Sequence, residues 1–193
     1  MIEALIFDCF GVLATDGWLP FRKKYFGDNA ELRQQVTDMQ RQVDAGLADY
    51  HDFVQTLAVL SGVSVDEVWN AIRDNQPNEP LFELIRELKP HYKIGFLSNA
   101  GADWLHDIFT DEQVALFDAV ALSYETGFVK PDPKAYQIIA DRLGVPPENC
   151  LLIDDQARYA EGADEVGMAM IVYQDFEQLK TELKQRLAAD AKH

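Results

Sequence analysis

The sequence predicts an α/β protein in which helices cover a doubly wound, mainly parallel sheet of five strands, with a small α-helical cap inserted. Three observations lead there. Five short apolar runs read as buried strands, since near-continuous apolar runs are typical of parallel strands covered on both faces. Helical patterns lie between the later runs, and alternating strand and helix implies a doubly wound sheet. One stretch, residues 16–78, breaks the rhythm: it carries helical patterns and no convincing strand.

In chain order, the first strand is Ala4–Phe7, ending at Asp8. Within residues 16–78, a helix over Tyr50–Leu60 has Asp49 as candidate cap and stops at Ser61-Gly62. Ser64-Val65-Asp66-Glu67 has the spacing of a capping box, which starts the next helix. Beyond it, Leu81, Leu84, Ile85 and Leu88 share one helical face, with Pro80 at the first helical position. Ile94–Leu97 and Ala119–Leu122 are the second and third strands. Lys134–Leu143 follows Asp132-Pro133 and stops at Gly144, giving cap, first-turn proline and terminal glycine in the expected order. Leu151–Ile153 and Met170–Val172 complete the strands, and Phe176, Leu179, Leu183 and Leu187 form the stripe of a last helix. The expected division is a core of residues 1–15 and 79–193 and a cap of residues 16–78.

The length of 193 residues suits one well-buried core plus a modest insertion, because single domains usually run to ~100–200 residues. Hydrophobic residues make up 48% and charged residues 26%, too apolar for a disordered chain. A net charge of −16 excludes a sequence-independent grip on nucleic acid and opposes binding to anionic membranes. It also repels a phosphorylated substrate at long range, so a phosphate site here needs local cations. Cys9 and Cys150 both lie in apolar runs and read as small hydrophobes, not a disulfide framework. The N-terminal run carries Glu3 and Asp8 without a basic segment before it, and no apolar run approaches the ~20 residues of a membrane helix. The expectation is a soluble cytoplasmic protein.

In an open α/β sheet, ligands bind outside the carboxyl ends of the strands. There the first strand ends at Asp8, the second at Ser98-Asn99 and the fourth at Asp154-Asp155, while Lys130 lies just before a helix start. Three acids, a hydroxyl and a lysine thus converge on one edge. Taken singly, each has a plainer reading: Asp8 a loop cap, Ser98 an N-cap for a following helix, Lys130 a solvated lysine, Asp154-Asp155 a turn.

Taken in order, Asp8-Cys9-Phe10-Gly11-Val12-Leu13, Leu97-Ser98-Asn99, Lys130-Pro131-Asp132 and Ile153-Asp154-Asp155 resemble the four motifs of the haloacid dehalogenase superfamily. The resemblance runs from Ile2 to about Val172. It is to the subfamily with a helical cap between the first two motifs, and most to its sugar-phosphate (glucose-1-phosphate) phosphatase-like branch. It implies a Rossmann-like three-layer sandwich and a hydrolase of a small phosphorylated metabolite. Asp8 would be the nucleophile, splitting one difficult substitution into two through an aspartyl-phosphate. Ser98, Asn99 and Lys130 would bind the phosphoryl group, Ser98 and Lys130 also stabilising its charge in the transition state. A Mg2+ ion, which suits hard oxygen ligands, would be held by Asp8, the carbonyl of Phe10 and Asp155, with Asp154 holding its waters. Gly11 would permit the tight turn after the nucleophile.

Two positions depart from the family pattern. Phe10 stands where phosphatases of the superfamily carry the aspartate that protonates the leaving group, a loss worth ~10²–10⁴-fold, which predicts slow turnover unless another group supplies the proton. Tyr159 stands where an asparagine or aspartate is common. Two rival functions stay open. A dehalogenase needs no leaving-group proton, though adjacent Asp154 and Asp155 suit a cation it does not require; a catalytically weak regulatory protein would tolerate both departures. Cys9 should point away from the Asp8 face, Trp18 reads as packing, and Arg22-Lys23-Lys24 as a solvated helix face.

Overall fold

The computed structural model describes residues 1–190. Its sheet is wholly parallel, with β1 (Ala4–Phe7) at the centre, β2 (Lys93–Ser98) and β3 (Ala119–Leu122) to one side, and β4 (Cys150–Asp154) and β5 (Ala169–Val172) to the other. The strand order reverses between β1 and β4, which makes their carboxyl ends the two lips of a crevice. Register fixes the level of each lip. Phe7 lies opposite both Phe96 and Ile153, so Asp8 and Asp154 each stand one residue past a matched pair, and Ser98 two past.

Alternation along β1 divides the core. Ala4 and Ile6 face α9 (Pro133–Leu143) and α10 (Ala160–Glu165), packing with Tyr136, Ile139 and Ala163. Leu5 and Phe7 face the opposite layer, where Leu81, Phe82 and Ile85 of α5 (Glu79–Leu88) and Leu179 and Leu183 of α11 (Phe176–Asp190) cover them. Helix–sheet–helix layering thus buries every residue of β1.

The helices follow their local signals. Asp132 caps α9 by accepting from Lys134 N at 2.9 Å, and Gly144 ends it in the left-handed conformation, φ 66°. Four helices fill the stretch after β1: α1 (Trp18–Phe26), α2 (Ala30–Asp44), α3 (Tyr50–Ser61) and α4 (Val65–Ile72). Asp49 and Ser64 cap α3 and α4 by accepting from Asp52 N and Glu67 N. Phe26, Val36, Val54, Leu57 and Val68 of these helices are fully buried in the same apolar cluster as the Leu5 face of the sheet. The chain enters and leaves this stretch at one place. Thr15 N donates to Gln76 O at 3.0 Å, Gln76 N donates to Thr15 Oγ1 at 2.7 Å, Ala14 bridges Pro77 antiparallel, and Asn78 N donates to Leu13 O. Short helices 105–108 (α6), 111–114 (α7) and 123–126 (α8) complete the fold. Among the described residues no helix is long and apolar enough to cross a membrane.

Candidate active site

The loop after β1 is built by its own backbone. Asp8 N donates to Ile153 O across to β4, and the chain then folds over itself, with Gly11 N donating to Ala14 O and Ala14 N to Cys9 O. Gly11 adopts φ +85°, and a Cβ there would stand 2.8 Å from Asp155 Oδ2. Glycine is required twice over, for the left-handed turn and for the approach of that carboxylate.

Lys130 is the hub. It is 2% exposed, and its ammonium donates to Asp8 Oδ1 at 2.8 Å, Asp154 Oδ2 at 2.5 Å and Leu97 O at 3.2 Å, using all three protons. Burial alone would lower its pKa, but the charges of Asp8 and Asp154 outweigh that and hold it above the ordinary lysine range. Asn99 accepts from Lys130 N through Oδ1 and donates to Lys130 O through Nδ2, so its amide braces the lysine's backbone. Tyr159 supports the same residue from below: the Lys130 ammonium sits 5.1 Å from its ring centroid, a cation–π contact, and the Tyr136 hydroxyl pins the Tyr159 carbonyl at 2.9 Å.

Asp8, Asp154 and Asp155 each offer a carboxylate oxygen within 4.8 Å of the others. Three carboxylates against the one ammonium leave two negative charges unbalanced. Burial pushes the Asp8 carboxyl up to about 7 against the pull of Lys130, with the Asp154 charge adding to the rise. Asp155 is raised too, by burial foremost. Its Oδ1 is buried with no hydrogen-bond partner, and the same is true of Ser98 Oγ. Unpartnered buried oxygens are costly, and here they come from strands on either side of Asp8. Oxygen donors, a charge deficit of two and an orphaned carboxylate oxygen fit a hard divalent cation.

The residues that the sequence singles out are therefore together, with refinements of role. Ser98 is not an N-cap, because the next helix starts at Leu105. The Cys9 thiol is buried and pushed well above its usual range by burial and then by Asp8, which rules it out as a thiolate at neutral pH. Beside Asp8 opens a cavity of about 680 Å³ whose wall includes Phe10, Lys130, Asp155 and Tyr159, but also Asp16, Trp18, Arg22, Gln40 and Asp44. The sequence does not point to these last five. It suggests packing for Trp18 and a solvated face for Arg22, and the structure places both on the cavity wall. No signal in the sequence separates Gln40 or Asp44 from the other polar residues of the inserted stretch.

A parallel five-stranded sheet with a carboxylate–lysine cluster at its switch point has the form of a doubly wound α/β enzyme. The chain belongs to the haloacid dehalogenase-like hydrolase family, whose model matches residues 2–167. It is 51% identical over 53 residues to a phosphatase of Mycobacterium tuberculosis, a match spanning 28% of this chain and only 24% of that one. It is 26% identical over 189 residues to the (S)-2-haloacid dehalogenase of Xanthobacter autotrophicus, covering 88% of this chain and 74% of that one. The fold is shared with a HAD family enzyme of Bacteroides thetaiotaomicron solved with magnesium and inorganic phosphate, at 24% identity and a TM-score of 0.71 over 93% of this chain and 99% of that one.

Proposed function

We propose that this hydrolase is a magnesium-dependent phosphomonoesterase of a small phosphorylated metabolite, a sugar phosphate foremost. The observation that carries this reading is the pair of unpartnered buried oxygens, Ser98 Oγ and Asp155 Oδ1, on either side of the Asp8–Lys130 ion pair. One is an uncharged donor placed for a phosphoryl oxygen, the other an anionic ligand placed for a cation. The Bacteroides enzyme of the same fold, solved with both magnesium and phosphate, supports that pairing.

Each residue has a part. Asp8 attacks phosphorus, and its ester with phosphate is then hydrolysed. Lys130 favours the ionised form of Asp8 against burial, an effect the bound cation would complete, and with Ser98 it offsets charge on the transferring group. Asn99 fixes where Lys130 stands. Asp8, Asp155 and the Phe10 carbonyl would hold the Mg2+, and Asp154 its waters as well as Lys130. The bound ion would screen the nucleophile from the phosphate dianion and polarise its oxygens. Helices α1–α4 act as the cap of residues 16–78 that closes the cavity and chooses the substrate. Buried, unpaired Cys9 and Cys150 suit a reducing cytoplasm. Phe10 gives no proton, so turnover is slow unless the cavity provides one.

A panel of phosphate esters assayed with and without magnesium tests this. Magnesium-dependent turnover that Asp8→Asn abolishes is the expected result, and turnover that survives Asp8→Asn sinks the nucleophile. A second reading draws on Phe10, half-buried beside Asp8, and on the extended match to a dehalogenase. Metal-independent halide release from 2-haloacids would establish it instead, and inertness in both assays would favour a regulatory protein.

A further inference from the structure

A phosphate monoester releases its alcohol readily only when the bridging oxygen receives a proton as the P–O bond breaks. Around Asp8 the nearest candidates are spent. Lys130 has committed its three protons to Asp8, Asp154 and Leu97 O, and Phe10 has none to give. On the wall that Phe10 shares with the interior of the cavity stand two carboxyls that the cluster at the strand ends does not use, Asp16 and Asp44. Asp16 is occupied, its Oδ1 accepting from Trp18 N at 2.9 Å and from Leu19 N at 3.3 Å to start α1.

Asp44 is placed against stability. It is the last residue of α2, where the negative end of the helix dipole disfavours a carboxylate. The charge of a second acid, Asp16, disfavours its ionised form further. Two polar side chains nevertheless stand beside it. The Trp18 indole N–H donates to Gln40 Oε1 at 2.9 Å, and the Gln40 amide, one helical turn before Asp44 on the same cavity wall, favours the ionised carboxylate. An acid in an unfavourable place beside such a pair of side chains, on the wall of a catalytic cavity, is a functional group with a physical rationale.

Resting on the phosphatase reading above, we propose that Asp44 protonates the leaving oxygen and then takes the proton of the hydrolytic water, the task for which Phe10 has no group. In the first half-reaction an Asp8 oxygen bonds to phosphorus as the bond from phosphorus to the bridging oxygen breaks. The electron pair stays on that oxygen, which takes the Asp44 proton and departs as a neutral alcohol, leaving Asp44 a carboxylate. In the second, a water oxygen bonds to phosphorus and gives its proton to Asp44 while the bond from phosphorus to Asp8 breaks. Inorganic phosphate, ionised Asp8 and protonated Asp44 result.

The charge state fits both halves. Burial, reinforced by Asp16 and opposed by the Gln40 hydrogen bond, pushes the Asp44 carboxyl up to about 7, so acid and base forms coexist near neutrality. The other titratable and charged groups around this end of α2 are Arg22 on α1, Arg41 on α2 itself, Tyr50 on α3 and Tyr124 on α8; Asp8, Lys130, Asp155, Arg158 and Tyr159 lie along the same cavity.

The test compares an alkyl phosphate with p-nitrophenyl phosphate, whose nitrophenolate leaves without a proton, in the presence of magnesium. At saturating magnesium, where the cation and Lys130 together keep Asp8 ionised, kcat/KM of the wild-type chain on the alkyl ester should fall as pH rises through about 7, the Asp44 carboxyl losing its proton. Asp44→Asn should lower that kcat/KM by ~10²-fold at about pH 6 and remove the fall, with little change on the nitrophenyl ester. Gln40→Met, which takes away the hydrogen bond that favours the carboxylate, should move the fall to higher pH, and it serves equally if Asp44→Asn does not fold. Equal losses on the two esters, or a fall that Gln40→Met leaves in place, overturn the assignment of Asp44 alone. No magnesium-dependent turnover of either ester by the wild-type chain overturns the phosphatase reading and the assignment together.

Discussion

The side chain of Asn99 grips both backbone polar atoms of Lys130, accepting from its N–H at 2.8 Å and donating to its carbonyl at 3.0 Å. A lysine shared between two buried carboxylates needs such a brace, because its ammonium reaches Asp8 and Asp154 together only from one backbone position. Asn99→Ala deletes these two hydrogen bonds and a third, to the Tyr159 hydroxyl, and should cost about 1–3 kcal/mol of stability, measured by urea unfolding. Activity should fall further, by ~10²-fold in kcat, since a nucleophile misplaced by an ångström loses that much. Unaltered kcat would mean that Lys130 keeps its position without the brace.

Gly11→Ala tests the packing of the loop after Asp8 against Asp155, the proposed metal ligand. The added methyl would press on the Asp155 carboxylate at 2.8 Å while forcing a left-handed φ of +85° on alanine. Magnesium affinity, measured calorimetrically, should fall ~10–100-fold, the usual effect of disturbing a ligand's support.

Magnesium should also stabilise the fold. Saturation at about 100 times Kd adds about 2.7 kcal/mol, read as a rise in Tm. Asp155→Asn removes an anionic ligand whose Oδ1 has no other partner, so the increment should disappear while the metal-free protein melts at the wild-type temperature or above. A full magnesium shift in that variant would place the cation elsewhere.

For Asp44 the sign of the pH dependence follows from linkage. Its folded carboxyl is raised to about 7 from an ordinary 3.8, so between those values the folded state binds the extra proton and stability falls as pH rises. Asp44→Asn should lack that decline and exceed the wild type above neutrality by on the order of 1 kcal/mol, the incomplete burial of the side chain damping the effect. In a chain of this size that is ~2–4 °C of Tm. Loss of stability on this substitution would show that the carboxylate is structurally required.

Phe10→Asp restores a proton-bearing group beside the nucleophile. Introduced into Asp44→Asn, it should recover activity on alkyl phosphates by ~10-fold or more at slightly acidic pH. No recovery would mean that proton transfer does not limit the variant.

The cluster at the strand ends is legible because a parallel sheet leaves little choice: Phe7, Phe96 and Ile153 align, so the residues just beyond them in sequence meet in space. Ala4–Phe7 and Ala119–Leu122 have the bounds read from the sequence, their apolar runs being sharply closed by Asp8 and Ser123. The opposite wall is not legible. Periodicity tells which side of a helix is apolar, but not how the helix is turned over a cavity, so Gln40 and Asp44 pass as ordinary polar residues of the inserted stretch. Arg22 misleads for the same reason, since a basic run on a solvated helix and one lining a cavity look alike in sequence. Tyr159 is a departure from the family pattern whose remedy, a ring beneath the Lys130 ammonium, exists only in three dimensions.

The pairing of Thr15 with Gln76 and of Ala14 with Pro77 means that some sixty residues hang from a single two-stranded stalk. Both cut ends lie side by side, already antiparallel, where a short turn would join them. Such an attachment would make the helical segment a graftable unit, exchangeable at this stalk without redrawing the sheet, whose Leu5 face keeps its cover of α5 and α11. Reaction chemistry and choice of substrate would then be inherited separately, one from the strand ends and one from whatever is suspended above them.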